Sequence, residues 1–369
     1  MASSDSWHMS VALGLAARGL GRVWPNPAVG CVLVTPDGHV AGRGWTQPGG
    51  RPHAETEALR QAGAAAKDAT AYVSLEPCAH QGETPPCADA LIAAGIAKAV
   101  VAVEDPDPRV SGQGVEKLRQ AGIEVSTGLM AEEAEALNRG FFTRLKLDRP
   151  MFTLKTATTL DGRIATKSRD SKWITGEAAR ARGHLLRAEH DAVLTSYGTV
   201  IADDSLLNCR VPGLEDRSPV RIVVDGALQT PLTAKIVKTA RSQPTWILTR
   251  KSADKARREA LEGLGVKILE IEAAASDGRP DLAEAALLLG AHGLTRVLVE
   301  AGGILAASLV KAELVDAIAW FRAAKVIGGD GLPAIGDLAL SDIDAVIDFE
   351  RVSLVAMGAD VLETFVRPR

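Results

Sequence analysis

His53 and Glu55 stand two apart in RPHAETEALR, and Cys78 and Cys87 follow in SLEPCAHQGETPPCADAL. Imidazole and thiolate are the ligands that Zn2+ takes in tetrahedral sites, and a catalytic site keeps one position open for water. His53, Cys78 and Cys87 supply three such ligands. The local pattern puts His53 at the start of a helix, Cys78 at the end of a strand and Cys87 at the start of the next helix, after Pro85 and Pro86. A helix N-terminus favours the thiolate that metal binding needs. Two thiolates offset the metal's charge, so water is activated less than at an all-His site, although zinc still draws its pKa from about 15.7 towards ~7.

Glu55 is then the acid–base group. In the first turn of a helix both His53 and Glu55 can point inward. A carboxylate beside the activated water takes its proton, passes it to a ring nitrogen and protonates the departing ammonia, the role of the non-ligand Glu in zinc nucleobase deaminases. A structural zinc is the competing reading. It would leave Glu55 without purpose and would want a fourth ligand, for which His80 is the candidate. The spacing itself departs from P-C-x-x-C, because eight residues separate Cys78 from Cys87.

PNPAVG, PHAE and EPCAHQGETPPCADAL together resemble the deaminase half of the RibD family, the bifunctional enzymes of riboflavin biosynthesis. The extended PC…TPPC loop separates that family from most cytidine, guanine and tRNA deaminases. The resemblance implies a three-layer cytidine-deaminase-like fold, zinc on His53, Cys78 and Cys87, Glu55 as proton shuttle, and Asn26 on the pyrimidine. The Asn26 amide offers a donor and an acceptor to a ring edge; its alternative role is a turn between two prolines. Three positions depart from the family pattern. Thr46 stands where many relatives have His, Glu83 where many have a basic residue, and Asp107 makes DPDP of the usual DPNP. These bear on substrate contacts and leave the zinc chemistry intact.

The second half holds its own signals. VEAGGILAASL is a strand, two glycines and a helix, a shape that lets backbone N–H groups approach a phosphate. It is not G-x-G-x-x-G, and a tight packing turn is an equal alternative. LKTATTLDGRIA, SKWITG and LLRAEHDAVLTSYGTVIADDSLLNCR resemble, in order, the reductase half of the same family. That implies a dihydrofolate-reductase-like fold and NADPH. By motif position Ala157, Trp173, Thr199 and Asp203 would line the nucleotide, with Gly302, Gly303, Ile304, Leu305, Ala306, Ala307 and Ser308. Ser171, Arg187, Leu207, Arg210 and Glu300 would face the substrate. Ala301 stands for one glycine of the usual EGG, and Ser205 for a proline.

The implied substrate carries a ribose phosphate dianion, which Arg187 and Arg210 can clamp with paired N–H donors better than Lys can. For each arginine the alternative is a surface ion pair, and for Trp173 it is a place in the core. Lys155 and Asp161 fall near the same motifs without a proton-transfer role that the sequence singles out.

The elements that must position these residues alternate. PAVGCVLV and GHVAGRG are strands joined by a TPDG turn. HAETEALRQAGAAA, CADALIAAGI, GVEKLRQAGI and EEAEALNRGFFTRLK are helices set between the strands TAYVSL, KAVVAV and EVSTG. That is an α/β layer. LDRP at 147–150 is the expected seam, with a zinc-dependent pyrimidine deaminase over 1–146 and an NADPH-dependent reductase over 150–369. Beyond it, strands and helices alternate again as far as DAIAWFRA, where the element reading stops.

The bulk numbers agree. A chain of 369 residues, 46% hydrophobic and 24% charged, suits two globular domains. The net charge is −4 and neither half is basic, which argues against a nucleic-acid footprint. Few, unevenly spaced cysteines predict a reducing compartment. There is no apolar run of the ~20 residues that span a bilayer, and MASSDSWHMS lacks a signal-peptide pattern. A soluble cytoplasmic enzyme acting on a small phosphoribosyl-pyrimidine is expected, and the resemblance adds a homo-oligomer. A tRNA-editing zinc deaminase with an accessory C-terminal binding domain is the alternative, and a deaminase joined to a nucleotide-sensing module a third.

Overall fold

The computed structural model describes residues 4–80, 85–107, 111–274 and 278–368. The chain divides into two compact units, Met1–Asp148 and Arg149–Arg369.

In the first unit α1 (Ser4–Ala16) leads into β1 (Gly30–Val34) and β2 (Val40–Trp45). They are followed by α2 (Ala54–Ala62), β3 (Thr70–Val73), α3 (Cys87–Ala93), β4 (Lys98–Val101), α4 (Gln113–Gln120), β5 (Glu124–Thr127) and α5 (Ala131–Leu147). The sheet order is β2-β1-β3-β4-β5. β1 is antiparallel to both its neighbours, and β3, β4 and β5 are parallel.

Side chains alternate across the sheet, and each face has its own core. Cys31 and Leu33 of β1 join Ala54, Ala58, Leu91 and Leu118 from α2, α3 and α4. Val32 and Val34 join Met9, Ala12 and Ala134 from α1 and α5. Helices therefore cover both faces, which is the three-layer arrangement and the reason GCVLV is apolar without a break.

Gly42 and Gly44 set the helix that matters. A Cβ on Gly42 would lie 2.1 Å from the Ala58 carbonyl oxygen, and one on Gly44 2.0 Å from that of Ala54. Only glycine lets α2 lie this close on β2, and that contact fixes where His53 and Glu55 stand.

The second unit opens with β6 (Met151–Thr158) and β7 (Arg163–Ala165). It continues through α6 (Glu177–Ala188), β8 (Ala192–Ser196), α7 (Tyr197–Asp203), β9 (Val220–Val224), α8 (Lys235–Lys238) and β10 (Thr245–Arg250). Then come α9 (Lys255–Gly263), β11 (Lys267–Ile271), α10 (Leu282–Ala291), β12 (Arg296–Val299), α11 (Gly303–Lys311) and β13 (Val315–Ala323). Beyond DAIAWFRA, the last strand expected from the sequence, lie β14 (Leu332–Pro333), β15 (Glu350–Met357) and β16 (Asp360–Val366).

Nine of these strands form one sheet, ordered β11-β10-β9-β8-β12-β6-β13-β16-β15. Its strands are parallel from β11 to β13 and end in the antiparallel pair β16 and β15. β12 inserts between β8 and β6, although it comes last of the three in the chain. The carboxyl ends of β6, β8, β9, β10 and β12 therefore lie on one edge, where open α/β sheets bind ligands.

Candidate functional site

In the first unit α2 begins at Ala54, and His53 is its N-cap in extended conformation with φ −72° and ψ 162°. Cys78 follows β3, and Cys87 is the first residue of α3, preceded by Pro86. The three donor atoms lie within 4.8 Å of one another. His53 Nδ1 is 3.3 Å from Cys87 Sγ and 3.6 Å from Cys78 Sγ. Zinc bond lengths in a tetrahedral set would put such N and S atoms about 3.5 Å apart, so the donor set fits the ion. His80 is exposed and stands outside the group among the described residues.

The charges in this cluster are coupled. The hydrogen bond from the Cys87 thiol, with help from His53, pulls the Cys78 thiol down to about 4. The same bond and burial push the Cys87 thiol up. The Cys87 backbone N–H also donates to Cys78 Sγ at 3.3 Å. Glu55 is buried, 3% exposed. Burial raises its carboxyl to about 7 against the pull of His53, in the range that suits a proton shuttle near neutral pH.

Asn26 is half-buried, and its N–H closes a turn on the Val23 carbonyl at 2.9 Å. Its side chain lies against Gly50 of the loop before His53, where a Cβ would come 1.9 Å from Asn26 Nδ2. Thr46 is buried, and its hydroxyl accepts from the Val29 N–H at 3.0 Å. Asp107 is buried too, its N–H donating to Asp105 at 2.9 Å. Glu83 lies outside the described residues.

The sequence reading missed Glu76 of the EPC motif. Its buried carboxylate accepts from four backbone N–H groups: Asp105 at 3.1 Å, Gly112 at 2.9 Å, Gly114 at 2.8 Å and Val115 at 3.1 Å. It ties the start of α4 and the segment holding Asp105 to the loop after β3 that supplies Cys78. Burial pushes the Asp105 carboxyl up to about 6.

In the second unit a cleft of about 1250 Å³ opens along the carboxyl edge of the large sheet. Pockets for one small ligand hold roughly 300–1,000 Å³, so this one has room for two ligands side by side. Ala157, Thr199, Asp203, Gly302, Gly303, Ile304, Leu305 and Ser308 line it, as do Ser171, Arg187, Leu207 and Glu300. Gly302 is the N-cap of α11, and its extended backbone opens the helix towards the cleft. The size of the cleft and this helix terminus fit a dinucleotide.

Four expected residues stand elsewhere. Ala306 and Ala307 are buried in the core face of α11, because the helical period sends Ile304 and Ser308 to the cleft and the alanines away from it. Trp173 is neither lining nor core. It is 64% exposed, with the Arg180 guanidinium stacked 4.7 Å from its ring. Arg210 is exposed and does not line the cleft; its Nε donates to His184 Nε2 at 3.1 Å, and His184 lies 3.4 Å from the lining Arg187.

Arg187 differs from the phosphate clamp that the sequence suggests. Its Nε and Nη2 bond Glu300 Oε1 and Oε2 at 2.5 and 3.0 Å, and Nη1 donates to the Asn208 carbonyl at 2.9 Å. The guanidinium fork is thus filled from within. Lys155 Nζ lies 3.5 Å from the same carboxylate. Burial pushes the Glu300 carboxyl up, but Arg187 and Lys155 outweigh it and hold it at about 2.

Asp225 and Arg250 also line the cleft. Their signal was positional: each ends or follows a parallel strand, β9 and β10, at the edge where ligands bind.

Comparison with known proteins adds an independent line. Residues 2–103 match the cytidine and deoxycytidylate deaminase zinc-binding region, and residues 150–362 match the RibD C-terminal domain. The riboflavin biosynthesis protein RibD of Aquifex aeolicus is 43% identical over 363 residues, covering 98% of each chain. That of Escherichia coli is 42% identical over 353 residues, covering 91% of this chain and 93% of its own. Form 1 of Acinetobacter baumannii RibD superposes with a TM-score of 0.88 at 37% identity, covering 99% of both chains. A diaminohydroxyphosphoribosylaminopyrimidine deaminase/5-amino-6-(5-phosphoribosylamino)uracil reductase from Thermotoga maritima superposes at 0.84 with 32% identity and the same coverage. Identity of this extent runs through both units, zinc-type cluster and cleft alike, and on that ground the chain belongs to the RibD family of riboflavin biosynthesis proteins.

Proposed function

We propose that the chain runs two consecutive reactions. The deaminase of residues 1–146 hydrolyses the exocyclic amine of 2,5-diamino-6-(5-phosphoribosylamino)pyrimidin-4-one. The reductase of residues 150–369 then reduces the ribosyl group to ribityl with NADPH. The observation that carries this reading is a buried carboxylate, Glu55, beside three clustered zinc-type donors. The double name of the Thermotoga maritima relative supports the pairing.

His53, Cys78 and Cys87 would hold zinc, which supplies Lewis-acid activation of water. Glu55 handles the protons. With a carboxyl near 7, it can accept one from water and deliver it to the ring nitrogen, then carry the hydroxyl proton of the resulting adduct to the amine, which leaves as ammonia while the carbonyl forms. Asn26 offers a donor and an acceptor to the ring edge.

Ala157, Thr199, Asp203 and the opening of α11 would hold NADPH, which supplies the reducing equivalents. Arg210 would take the ribose phosphate, since its terminal nitrogens meet no acidic partner among the described residues. Arg187 would act through the Glu300 pair as a fixed wall of the substrate site. A tRNA-editing deaminase with a binding unit would want a basic second half, whereas residues 150–369 carry 28 basic and 29 acidic groups.

No helix of the described residues is long and apolar enough to cross a membrane. The four unpaired cysteines support a reducing, cytoplasmic setting. The exposed Val352, Leu354 and Val355 on the edge strand β15 support a homo-oligomer.

Incubating the purified, zinc-loaded protein with the diaminopyrimidine tests the reading. Ammonia should appear without NADPH, and the ribityl product only with it. Ammonia release that fails with zinc bound would overturn the deaminase assignment, and NADPH binding without oxidation would favour a sensing module.

A further inference from the structure

His184 lies on α6 one turn before Arg187 and does not line the cleft. Its Nδ1 is 3.1 Å from the carbonyl oxygen of Asn208, which can only accept. Its Nε2 is 3.1 Å from Nε of Arg210, which can only donate. These two partners fix one state of the ring: neutral, with the proton on Nδ1 and a lone pair on Nε2. Arg187 Nη1, with two protons, gives one to the same Asn208 oxygen at 2.9 Å and lies 3.4 Å from Nδ1; it is the Arg210 N–H aimed at Nε2 that keeps the ring proton on Nδ1.

The neighbouring chain is anchored on either side of Asn208. Leu207 and Cys209 are buried, and the Cys209 N–H donates to Ser218 at 3.1 Å. Arg210, next along, is exposed, and the imidazole is its hydrogen-bond partner among the described residues. The bond uses Nε and leaves the two terminal nitrogens for a ligand.

We propose that His184 is a positioning residue of the reductase site, a neutral imidazole that aims the guanidinium of Arg210 at the phosphate of the substrate and releases it when protonated. The proposal rests on the reading of Arg210 given above. A proton on Nε2 would face the Arg210 N–H and abolish the bond. The charged groups facing the ring are Arg187 on α6 itself, Arg210, and Glu300 at the end of β12, with Lys155 of β6 beyond Glu300. Burial and then the two arginines lower the proton affinity of His184, so the ring stays neutral at physiological pH.

The test uses the full-length, zinc-loaded protein with ribose 5-phosphate as probe, by titration calorimetry, with NADPH binding by fluorescence as the reference. Gln can replace both bonds, its carbonyl accepting from Arg210 and its amide donating to Asn208, and it does not titrate. His184→Leu can make neither. His184→Leu should raise the Kd for ribose 5-phosphate about tenfold, the scale of one charge-assisted bond, with NADPH affinity unchanged. His184→Gln should stay within about twofold of the wild type, on the same scale.

Below the histidine range the wild type should lose more affinity than His184→Gln, since the phosphate's own titration is common to both. Equal loss of NADPH binding in His184→Leu, or parallel acid limbs in wild type and His184→Gln, would overturn the proposal. So would normal probe binding in His184→Leu when Arg210→Ala binds poorly. Normal probe binding in Arg210→Ala would remove the phosphate reading of Arg210 itself, and His184 with it.

Discussion

Glu300 holds Arg187 with both carboxylate oxygens, Oε1 to Nε at 2.5 Å and Oε2 to Nη2 at 3.0 Å, across 113 residues of sequence. Each side chain is only 13% exposed. Removing one partner of such a pair leaves the other charge uncompensated and costs about 3–5 kcal/mol. Glu300→Gln should therefore destabilise the second unit by that order at pH 7, as read from urea unfolding of that unit. The pH dependence has a definite sign. A depressed carboxyl contributes stability above its unfolded value of ~4.3 and loses it as pH falls through about 2. The wild type should weaken across that window, and Glu300→Gln should lack this component.

Glu55→Gln should keep zinc and lose ammonia release by about 10²–10⁴-fold, the range for one proton-transfer group. Reduction of supplied deaminated intermediate should be unaffected. Metal content and ammonia assays on the same preparation check both halves. A parallel fall in zinc would make Glu55 a ligand and not a shuttle.

Cys78→Ser replaces a thiolate with a neutral hydroxyl at the donor cluster. Zinc and deamination should be lost together, with NADPH oxidation retained, because Cys78 lies in the first compact unit and the cleft in the second. Treating the wild type with a chelator should reproduce this split, and re-adding zinc should reverse it for the wild type only. Loss of both activities on chelation would contradict it.

Glu76→Ala removes the acceptor of four backbone N–H groups. An unsatisfied buried donor costs about 1–3 kcal/mol, and water entering the gap will satisfy some of the four. A loss of about 3–5 kcal/mol is expected, at the severe end for a single substitution. The melting transition of the first unit should fall while that of the second stays. Zinc affinity should weaken, because the loop after β3 that bears Cys78 loses its tie to α4. An unshifted first transition would show that the hub is dispensable.

Some of this protein is local in sequence and some is not. The donor cluster could be read from PHAE and EPC…PPC because each donor sits at or just beyond an element boundary that short motifs mark: an N-cap, the loop after a strand, a helix start after two prolines. The α/β alternation of the first unit could be read because burial on both faces makes GCVLV apolar throughout and its helices amphipathic, while the three layers were implied by the family resemblance. Tertiary structure decided who partners whom. β12 inserts between β8 and β6, which sets Glu300 beside Lys155 and Arg187 and turns an expected phosphate clamp into an internal ion pair. The chain's return past α7 sets Asn208 and Arg210 on either side of His184. Glu76 meets its four amides only once α4 docks at the end of β3. Periodicity encodes which face of an element is buried, but a polar side chain's partner depends on strand order and helix docking, which bring distant residues together and leave no local pattern.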